Sequence, residues 1–279
     1  MHNFLIEPLV RAALLEDLGH GGDLTTDAIL DPTLSAKALI VARKGGTMYG
    51  HAPAALAFTL LQPDARYEVV LPDGAHAQPG ETVASISARA TTILTGERTA
   101  LNFLCHLSGI ATATRALVDL IKDYPARVVC TRKTTPGLRT LEKAAVLAGG
   151  GSNHRYGLDD AVLIKDNHIA LAGGIAQAVQ AVRKRIGHLV KVEVEVDTLD
   201  QLREALELPI DAVLLDNMDA MQLREAVKIV GGRVLTEASG TINAQRIAAI
   251  AATGVDLISS GSITHSAPAL DLGLDIELP

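Results

Sequence analysis

The segment VKVEVEVDTLDQLREALELPIDAVLLDN (Val190–Asn217) carries the pattern that decides the fold. Two short apolar runs, Val190–Val196 and Ala212–Leu215, flank a stretch with helical periodicity over Leu199–Leu206. Apolar runs of this length are typical of buried strands, and an amphipathic stretch between them favours a helix. A strand, a helix and a second strand in this order predict two parallel strands joined by a right-handed crossover.

The same alternation of strand and helix extends to both sides of this segment. Four further apolar runs predict strands at Val128–Cys130, Ala161–Ile164, Val234–Leu235 and Leu257–Ile258. Helices are predicted between the strands at Leu138–Ala148, Ile175–Ile186, Met221–Val230 and Ala244–Ala252, the last with Asn243 as its N-cap. Six such units without a glycine-rich dinucleotide-binding motif favour a closed or nearly closed α/β barrel over an open doubly wound sheet.

The part of the chain before the barrel has a different texture. A helix is predicted from about Phe4 to Leu18, and turn residues alternate with small β-formers over Leu71–Ala90, which predicts hairpins. Thr95–Asp123 has helical periodicity, and we expect a break at Ser108-Gly109. The chain therefore divides into an N-terminal region and a barrel region.

Composition restricts the class of protein. The 279 residues are 48% hydrophobic, which is enough for one large barrel or two domains. A net charge of −7 disfavours nucleic-acid binding but permits a small anionic substrate in a locally basic pocket. Cys105 and Cys130 form no metal-type pair or disulfide framework. The sequence shows no basic-then-apolar leader and no run long enough to span a bilayer, so we expect a cytoplasmic protein without membrane partners.

The residues that follow the predicted strands are charged, small or hydroxyl-bearing. In strand order they are Arg132 and Lys133, Lys165, Glu195, Asp216, then Glu237, Ser239 and Gly240, and finally Ser259, Ser260, Gly261 and Ser262. Any one of them taken alone is best interpreted as a solvated loop residue. Barrel active sites lie at the carboxyl ends of the strands, so their recurrence on one rim predicts an active site there.

The predicted rim is chemically divided. Its early strands are basic and gain His154 and Arg155 from a loop, which suits a substrate bearing carboxylates. Its middle strands are acidic, which suits sugar hydroxyls or a Mg²⁺ ion carried by phosphates. Its late strands end in Ser-Gly and Gly-Ser, where free backbone amides bind anions. These features predict a transferase that joins a carboxylate-rich molecule to a phosphorylated one.

The strand KVEVEVD has a second implication. Side chains alternate along a strand, so Lys191, Glu193 and Glu195 share one face and the intervening valines share the other. If the valines meet the helices, one Lys and two Glu point into the barrel, where they must pair or bind a ligand. The alternative is an edge strand with one solvent-exposed face.

Long motifs in this chain resemble quinolinate phosphoribosyltransferases. In the barrel region they are CTRKTTPGLR (Cys130–Arg139), GGGSNHRYGLDDAVLIKDNHI (Gly149–Ile169), VEVEVD (Val192–Asp197), LLDN (Leu214–Asn217), EASGTI (Glu237–Ile242) and GVDLISSGSITHS (Gly254–Ser266). The N-terminal region adds EDLGHGGDLTT (Glu16–Thr26) and GERTALNFLCHLSGIAT (Gly96–Thr112). The resemblance covers nearly the whole chain in the family's order.

This resemblance implies a fold and an assembly. It implies an N-terminal α/β sandwich-like domain over residues 1–110, joined by the C-terminal tail at about 267–279. It implies an open or incomplete α/β barrel of about six parallel strands over residues 111–266. It further implies a homodimer, or a hexamer of dimers, in which each active site is completed by the neighbouring subunit.

The resemblance also assigns the substrates and their ligands. Quinolinate is expected to bind Arg132, His154, Arg155 and Lys165, with Arg98 supplied by the partner subunit. Phosphoribosyl pyrophosphate is expected to bind Lys133, Glu195, Asp216, Ser239, Gly240, Gly261 and His265. The catalytic residues are expected to be Lys133, Lys165, Glu195 and Asp216. Mg²⁺ is the expected cofactor, held mainly through the substrate, with Glu195 and Asp216 as candidate ligands. His168 is expected to support the loop of Lys165.

Some residues depart from the family pattern. Cys130 stands where the family often has Asp, and Thr241 stands where the phosphate motif usually has a second Gly. Ser260 and Ser262 replace apolar or small residues. None of these departures removes an expected charge. We interpret Cys130 as a small strand residue and not as a nucleophile, because no motif places a base beside it.

Three alternatives remain open from the sequence. A related molybdenum-operon pyrophosphorylase-like protein shares the fold and several motifs, although KDNH (Lys165–His168) with the His154-Arg155 pair favours quinolinate. Lys165 at a strand end also permits a Schiff-base aldolase, which borohydride trapping with a carbonyl substrate would detect. The hairpins over residues 71–90 allow a metabolite-binding regulator or lipoyl-like carrier, but they have no Lys at a turn tip.

Overall fold

The structure is a computed structural model that describes residues 2–277. The helices are α1 (Asn3–Leu18), α2 (Leu24–Ile29), α3 (His51–Thr59), α4 (Ala90–Leu120), α5 (Arg139–Ala148), α6 (Asp166–Ala172), α7 (Ile175–Arg183), α8 (Leu199–Leu206), α9 (Ala220–Val230), α10 (Ile247–Ala251) and α11 (Ser262–His265). The strands are β1 (Ser35–Ala42), β2 (Gly46–Thr47), β3 (Arg66–Val69), β4 (His76–Ala77), β5 (Thr82–Arg89), β6 (Arg127–Val129), β7 (Val162–Ile164), β8 (Val192–Val196), β9 (Ala212–Asp216), β10 (Leu235–Ser239), β11 (Leu257–Ser259) and β12 (Leu272–Glu277).

The chain forms two compact units. The first contains residues 2–115, 135–150 and 266–277, and the second contains residues 116–134 and 151–265. This division places helix α5 in the first unit, whereas the sequence analysis assigns that segment to the barrel domain. Within the first unit, Glu142 of α5 is fully buried and accepts a hydrogen bond from His106 Nε2 on α4 at 2.8 Å. This buried contact ties α5 to the N-terminal elements.

The first unit is built on an antiparallel sheet of order β12-β1-β5-β3. Alternate residues of β1 are buried, as expected for a strand with one face against a core. On α1 the buried residues Ile6, Val10 and Leu14 recur every four positions, which places them on one helix face. The C-terminal strand β12 supplies one edge of this sheet, so the tail returns to the N-terminal unit.

The break expected at Ser108-Gly109 is wrong, because α4 continues through both residues. Ser108 lies inside the unit, where its Oγ accepts from Tyr49 N and donates to Tyr49 O. A Cβ on Gly109 would collide with the backbone of Pro268 in the tail. Glycine at this position therefore permits close helix–tail packing and does not interrupt the helix.

The second unit contains six parallel strands in the order β6-β11-β10-β9-β8-β7. The terminal strands β6 and β7 are not paired with each other. A single parallel bridge instead links Val129 to Ser152, on the segment that leads to β7. The expected α/β fold with an open or incomplete barrel of about six parallel strands is confirmed.

Two boundaries differ from the sequence prediction in a way that affects the active site. Strand β10 extends to Ser239 and pairs with β9 along its whole length, so Glu237 lies inside the strand and not after it. Helix α10 begins at Ile247 and does not start at Ala244. The Asn243 side chain accepts a hydrogen bond from Arg246 N at 3.1 Å and stabilises the preceding turn. Its predicted role as the N-cap of α10 is therefore wrong.

Within residues 2–277, no helix combines the length and the apolar character needed to cross a lipid bilayer.

Candidate active site

A cavity of about 710 Å³ lies at the carboxyl ends of the barrel strands. It is lined by Thr131, Arg132, Lys133, His154, Arg155, Leu163, Lys165, Glu195, Leu214, Asp216, Asn217, Glu237, Ser239, Gly240, Thr241, Ile242, Ser259, Ser260, Gly261, Ser262 and His265. Every residue that the sequence analysis assigns to either substrate lines this cavity, with the exception of Arg98. Residues from seven separate sequence segments meet here, because the carboxyl ends of the parallel strands lie on one rim.

The basic wall of the cavity contains Arg132 and Arg155. One end of the Arg155 guanidinium donates from Nη1 to the carbonyl oxygen of Ala161 at 3.0 Å, while its Nε is buried without a hydrogen-bond partner. Burial, followed by the charge of Arg132, lowers the pKa of Arg155 below its usual value. Two neighbouring cations and an unsatisfied donor make this wall suited to a bound carboxylate.

Lys165 follows β7 and forms an ion pair with Glu195 at the end of β8, with 2.9 Å between Nζ and Oε2. The Lys165 backbone N–H donates to His168 Nδ1 at 3.0 Å, so His168 holds the start of α6. Schiff-base chemistry requires a free amine that can attack a carbonyl, whereas the Lys165 amino group is engaged by the Glu195 carboxylate. The pairing therefore disfavours the aldolase alternative.

The acidic wall is formed by Glu195 and Asp216 at the ends of the neighbouring strands β8 and β9. The Asp216 carboxylate accepts a hydrogen bond from the Asn217 side-chain amide at 2.7 Å. Asn217 adopts a positive φ of 53°, a conformation that Asn tolerates better than most residues. Both carboxylates line the cavity, so the site offers oxygen ligands for hydroxyl groups or for a hard cation.

The late loops bring backbone amides to the cavity. Gly240 has a φ of 99°, and a Cβ there would lie 2.8 Å from the Asn217 Cγ. A Cβ on Gly261 would lie 3.1 Å from both Lys133 and His265. Thr264 Oγ1 donates to the Lys133 carbonyl at 2.7 Å and joins the first loop to the last. Glycine thus permits a close approach of loops whose amides suit phosphate oxygens.

Thr241 adopts a φ of +42°, at the position where the family usually has glycine. A left-handed conformation costs a non-glycine residue about 1–2 kcal/mol, and glycine itself loses about 0.5–1 kcal/mol of entropy on folding. We expect Thr241→Gly to raise the free energy of unfolding by about 0.5–1 kcal/mol in urea titrations. Thr241→Ala retains a Cβ and is the control, expected to gain much less. A loss of stability in the Gly variant would contradict the interpretation of strain.

The barrel interior contains a group that the sequence analysis did not assemble. His154 Nε2 lies 3.0 Å from Glu193 Oε2 and 3.8 Å from Glu237 Oε1. His154 Nδ1 accepts the backbone N–H of Arg155 at 2.7 Å, so the ring proton belongs on Nε2, facing Glu193. The alternation in KVEVEVD correctly predicts that Glu193 points inward, but it does not identify its partners. The quinolinate-binding role of His154 stays a prediction.

Two other sequence predictions have clear locations. Arg98 is exposed on α4 in the first unit, where it lines a smaller cavity of about 330 Å³ with Asp17, Asp23 and Thr95. Its assignment to a partner's site stays a prediction.

Cys130 is buried, and its Sγ donates to the Asn153 side-chain oxygen at 3.2 Å. A buried, hydrogen-bonded thiol agrees with the interpretation as a small strand residue.

Comparison with known proteins gives consistent matches along the chain. Residues 23–108 match the family model of the quinolinate phosphoribosyl transferase N-terminal domain, and residues 110–275 match that of the C-terminal domain. A probable nicotinate-nucleotide pyrophosphorylase [carboxylating] of Bacillus subtilis (strain 168) is 42% identical over 100% of this chain and 96% of its own length.

Another relative and a solved structure agree with these matches. The nicotinate-nucleotide pyrophosphorylase [carboxylating] of Mycobacterium leprae (strain TN) is 43% identical over 96% of this chain and 95% of its own length. The structure of the nicotinate-nucleotide pyrophosphorylase from Francisella tularensis is 40% identical with a TM-score of 0.95, over 99% of this chain and 98% of that one.

Proposed function

The chain belongs to the quinolinate phosphoribosyl transferase family, and we propose that its barrel-end cavity is where it joins quinolinate to phosphoribosyl pyrophosphate. The protein is a decarboxylating phosphoribosyltransferase of NAD biosynthesis, with nicotinate mononucleotide, carbon dioxide and pyrophosphate as products. The observation that carries the location is the meeting of a guanidinium pair, two carboxylates and glycine-rich loops in one cavity. Each group matches one part of the two substrates.

The guanidinium wall is proposed to bind the quinolinate dianion. Arg132 and Arg155 supply planar donors that match carboxylates, and the buried Arg155 Nε supports this role because it has no hydrogen-bond partner. Lys165 can join them by exchanging its Glu195 partner for a substrate carboxylate. That exchange would free the Glu195 carboxylate for the phosphoribosyl substrate.

The opposite wall is proposed to bind phosphoribosyl pyrophosphate. The amides near Ser239-Gly240 and Gly261, together with Lys133 and His265, suit its phosphates, and Glu195 and Asp216 suit its ribose hydroxyls. The same two carboxylates fit a Mg²⁺ ion, which prefers oxygen ligands and keeps substrate phosphates in its shell. When bound, Mg²⁺ would offset negative charge on the pyrophosphate.

Transfer begins when the pyridine nitrogen attacks the ribose C1 carbon and pyrophosphate leaves. Positive charge develops on the sugar, and the carboxylates of Glu195 and Asp216 stabilise it. Lys133 balances charge on the leaving pyrophosphate. The ring nitrogen is then quaternary, and its positive charge stabilises the electron pair that stays on the adjacent carbon when carbon dioxide leaves. Positioning both substrates in one cavity lowers the activation free energy by roughly several kcal/mol.

The direct test is to incubate the protein with quinolinate, phosphoribosyl pyrophosphate and Mg²⁺. We expect one carbon dioxide and one pyrophosphate for each nicotinate mononucleotide formed. Nicotinate, nicotinamide and orotate serve as alternative acceptors, and omission of Mg²⁺ tests the cofactor. Failure to release pyrophosphate with quinolinate, while another acceptor reacts, would reject the assignment.

Glu195→Gln and Asp216→Asn test the acidic wall. Both amides keep the shape of the side chain but remove the charge that stabilises a cationic sugar. We expect each variant to lose about 10²-fold in kcat/KM, with little change in thermal unfolding because both residues lie at strand ends. Asp200→Asn, which removes a highly exposed carboxylate on α8, is the matched control and should keep parent activity. Folded variants with near-parent turnover would show that the carboxylate roles are wrong.

We also propose a homodimer, or a hexamer of dimers, with shared sites. Arg98 is an exposed cation on α4, and the family resemblance assigns it to the neighbouring subunit's quinolinate. A two-fold dimer would then hold two reciprocal sites.

A further inference from the structure

Loss of carbon dioxide creates a demand for a proton. When the bond between C2 and its carboxylate breaks, carbon dioxide leaves without the bonding electrons, and the pair stays on C2 beside the quaternary nitrogen. Nicotinate mononucleotide carries hydrogen at that carbon, so one proton must be delivered for each turnover. A proton donor near the ring must therefore have a reserve of protons at neutral pH.

Glu237 occupies an unusual position in the barrel. It lies in the middle of β10 and is 2% exposed, yet it lines the barrel-end cavity. It also lines a second cavity of about 610 Å³ in the same unit. That cavity is bordered by residues at the amino ends of the barrel strands: Arg127, Val162, Val192, Ala212, Leu235 and Leu257. Glu237 is thus in contact with both ends of the barrel interior.

The surroundings of Glu237 favour a protonated carboxyl group. Glu193 faces it from β8 and His154 from the loop before β7, with one ligand-type atom of each residue within 4.8 Å of the others. Ser259 of β11 is a further polar neighbour, and Leu214 of β9 is the apolar residue paired with Glu237. Glu237 Oε1 is buried and has no hydrogen-bond partner. An ionised carboxylate would be a second buried negative charge beside Glu193, without a donor for that oxygen.

The net effect of these surroundings is a raised pKa of Glu237. Burial first, and then the charge of Glu193, raise the pKa of Glu237 to about 7, against the opposing effects of His154 and Ser259. A carboxylic acid acts as a general acid while it is protonated, and a group with this pKa keeps a substantial protonated fraction near neutral pH.

Two other candidate donors in the cavity, Lys165 and His154, have partners in this structure. Lys165 is paired with Glu195, and both ring nitrogens of His154 have partners, with its proton on the nitrogen that faces Glu193. We propose that Glu237 is the general acid that protonates C2 of the pyridine ring after carbon dioxide leaves. The C2–H bond forms with the electron pair left on C2, and Glu237 is left as a carboxylate. Water in the second cavity then returns a proton to it.

This inference rests on the proposed function and is tested after pyrophosphate release has been confirmed for the parent protein. In a single turnover with quinolinate, phosphoribosyl pyrophosphate and Mg²⁺, pyrophosphate and nicotinate mononucleotide are measured in parallel. We expect Glu237→Gln to release pyrophosphate within a few-fold of the parent rate, while nicotinate mononucleotide forms about 10²-fold more slowly. Glu225→Gln removes an exposed carboxylate on α9 and should match the parent in both measurements.

The pH dependence gives a second readout that needs no variant. A general acid is active only while protonated, so product formation by the parent should fall as the pH rises through about 7, more steeply than pyrophosphate release. Glu237→Asp keeps an acid and should recover part of the rate lost in the Gln variant. Equal loss of pyrophosphate and product in folded Glu237→Gln would overturn the proposal, and so would product formation at the parent rate. If Glu237→Gln does not fold, the parent protein decides the question. Product formation and pyrophosphate release with the same pH dependence would then overturn the proposal.

Discussion

We expect kcat/KM with quinolinate to be about 10³-fold higher than with nicotinate. Nicotinate lacks one of the two carboxylates, and the basic wall of the cavity holds Arg132 and Arg155 side by side. Nicotinate would leave this wall without the second carboxylate that it is proposed to bind, and removing one partner of a desolvated charge pair costs about 3–5 kcal/mol. Separate assays with each acceptor, both following pyrophosphate release, give the ratio of kcat/KM without depending on decarboxylation.

A variant of the wall links the discrimination to its cause. Arg155→Met removes the half-buried guanidinium but keeps much of the apolar bulk of the side chain, so we expect the preference for quinolinate to shrink by at least about tenfold. Lys228→Met removes an exposed cation on α9 and should leave the ratio unchanged. Comparable efficiency with both acceptors in the parent would show that the basic wall does not select the dianion.

Activity is expected to return when two strongly impaired variants, Arg98→Ala and Glu195→Gln, are unfolded and refolded together. If Arg98 serves the partner's quinolinate, a mixed dimer contains one site with both residues intact and one site with both defects. Random pairing would leave roughly a quarter of all sites intact. The activity of each variant refolded alone should stay low. Arg98→Ala lacks a partner for a quinolinate carboxylate, and Glu195→Gln lacks a charge on the acidic wall.

The refolding experiment needs evidence of mixing. A tag on one variant allows mixed dimers to be purified and assayed for nicotinate mononucleotide. Parent protein taken through the same treatment sets the recoverable activity. Purified mixed dimers without activity would mean that Arg98 acts in its own subunit or has no role in the reaction.

Much of the barrel could be predicted because its pattern is local. Apolar runs such as Val192–Val196 and Ala212–Asp216 are short and lie between amphipathic helices, so their periodicity appears within a few neighbouring residues. The length of strand β10 could not be predicted, because the prediction depends on such local runs. Its sequence LTEAS lacks an apolar run, and only its pairing with β9 makes it a strand.

Helix α4 shows a related limit on sequence prediction. A Ser-Gly pair has low helix propensity, so the local signal at Ser108-Gly109 indicated a break. Packing against the tail backbone at Pro268 and hydrogen bonds with Tyr49 reverse that preference. Both sets of contacts involve residues far away in the chain, so no window of sequence contains them.

The sequence by itself determined the order of strands and helices, the family, and the rim residues that line the cavity. These follow from periodicity and from motifs in which neighbouring residues carry the signal. Only the tertiary structure decided that Glu237 lies inside the barrel beside His154 and Glu193, that His154 keeps its proton on Nε2, and that Thr241 is left-handed. His154 and Glu193 are 39 residues apart, and their contact exists only because the strands assemble around one interior. The protonation of a buried carboxyl depends on such distant neighbours, because removal from water and nearby charge are properties of the folded chain.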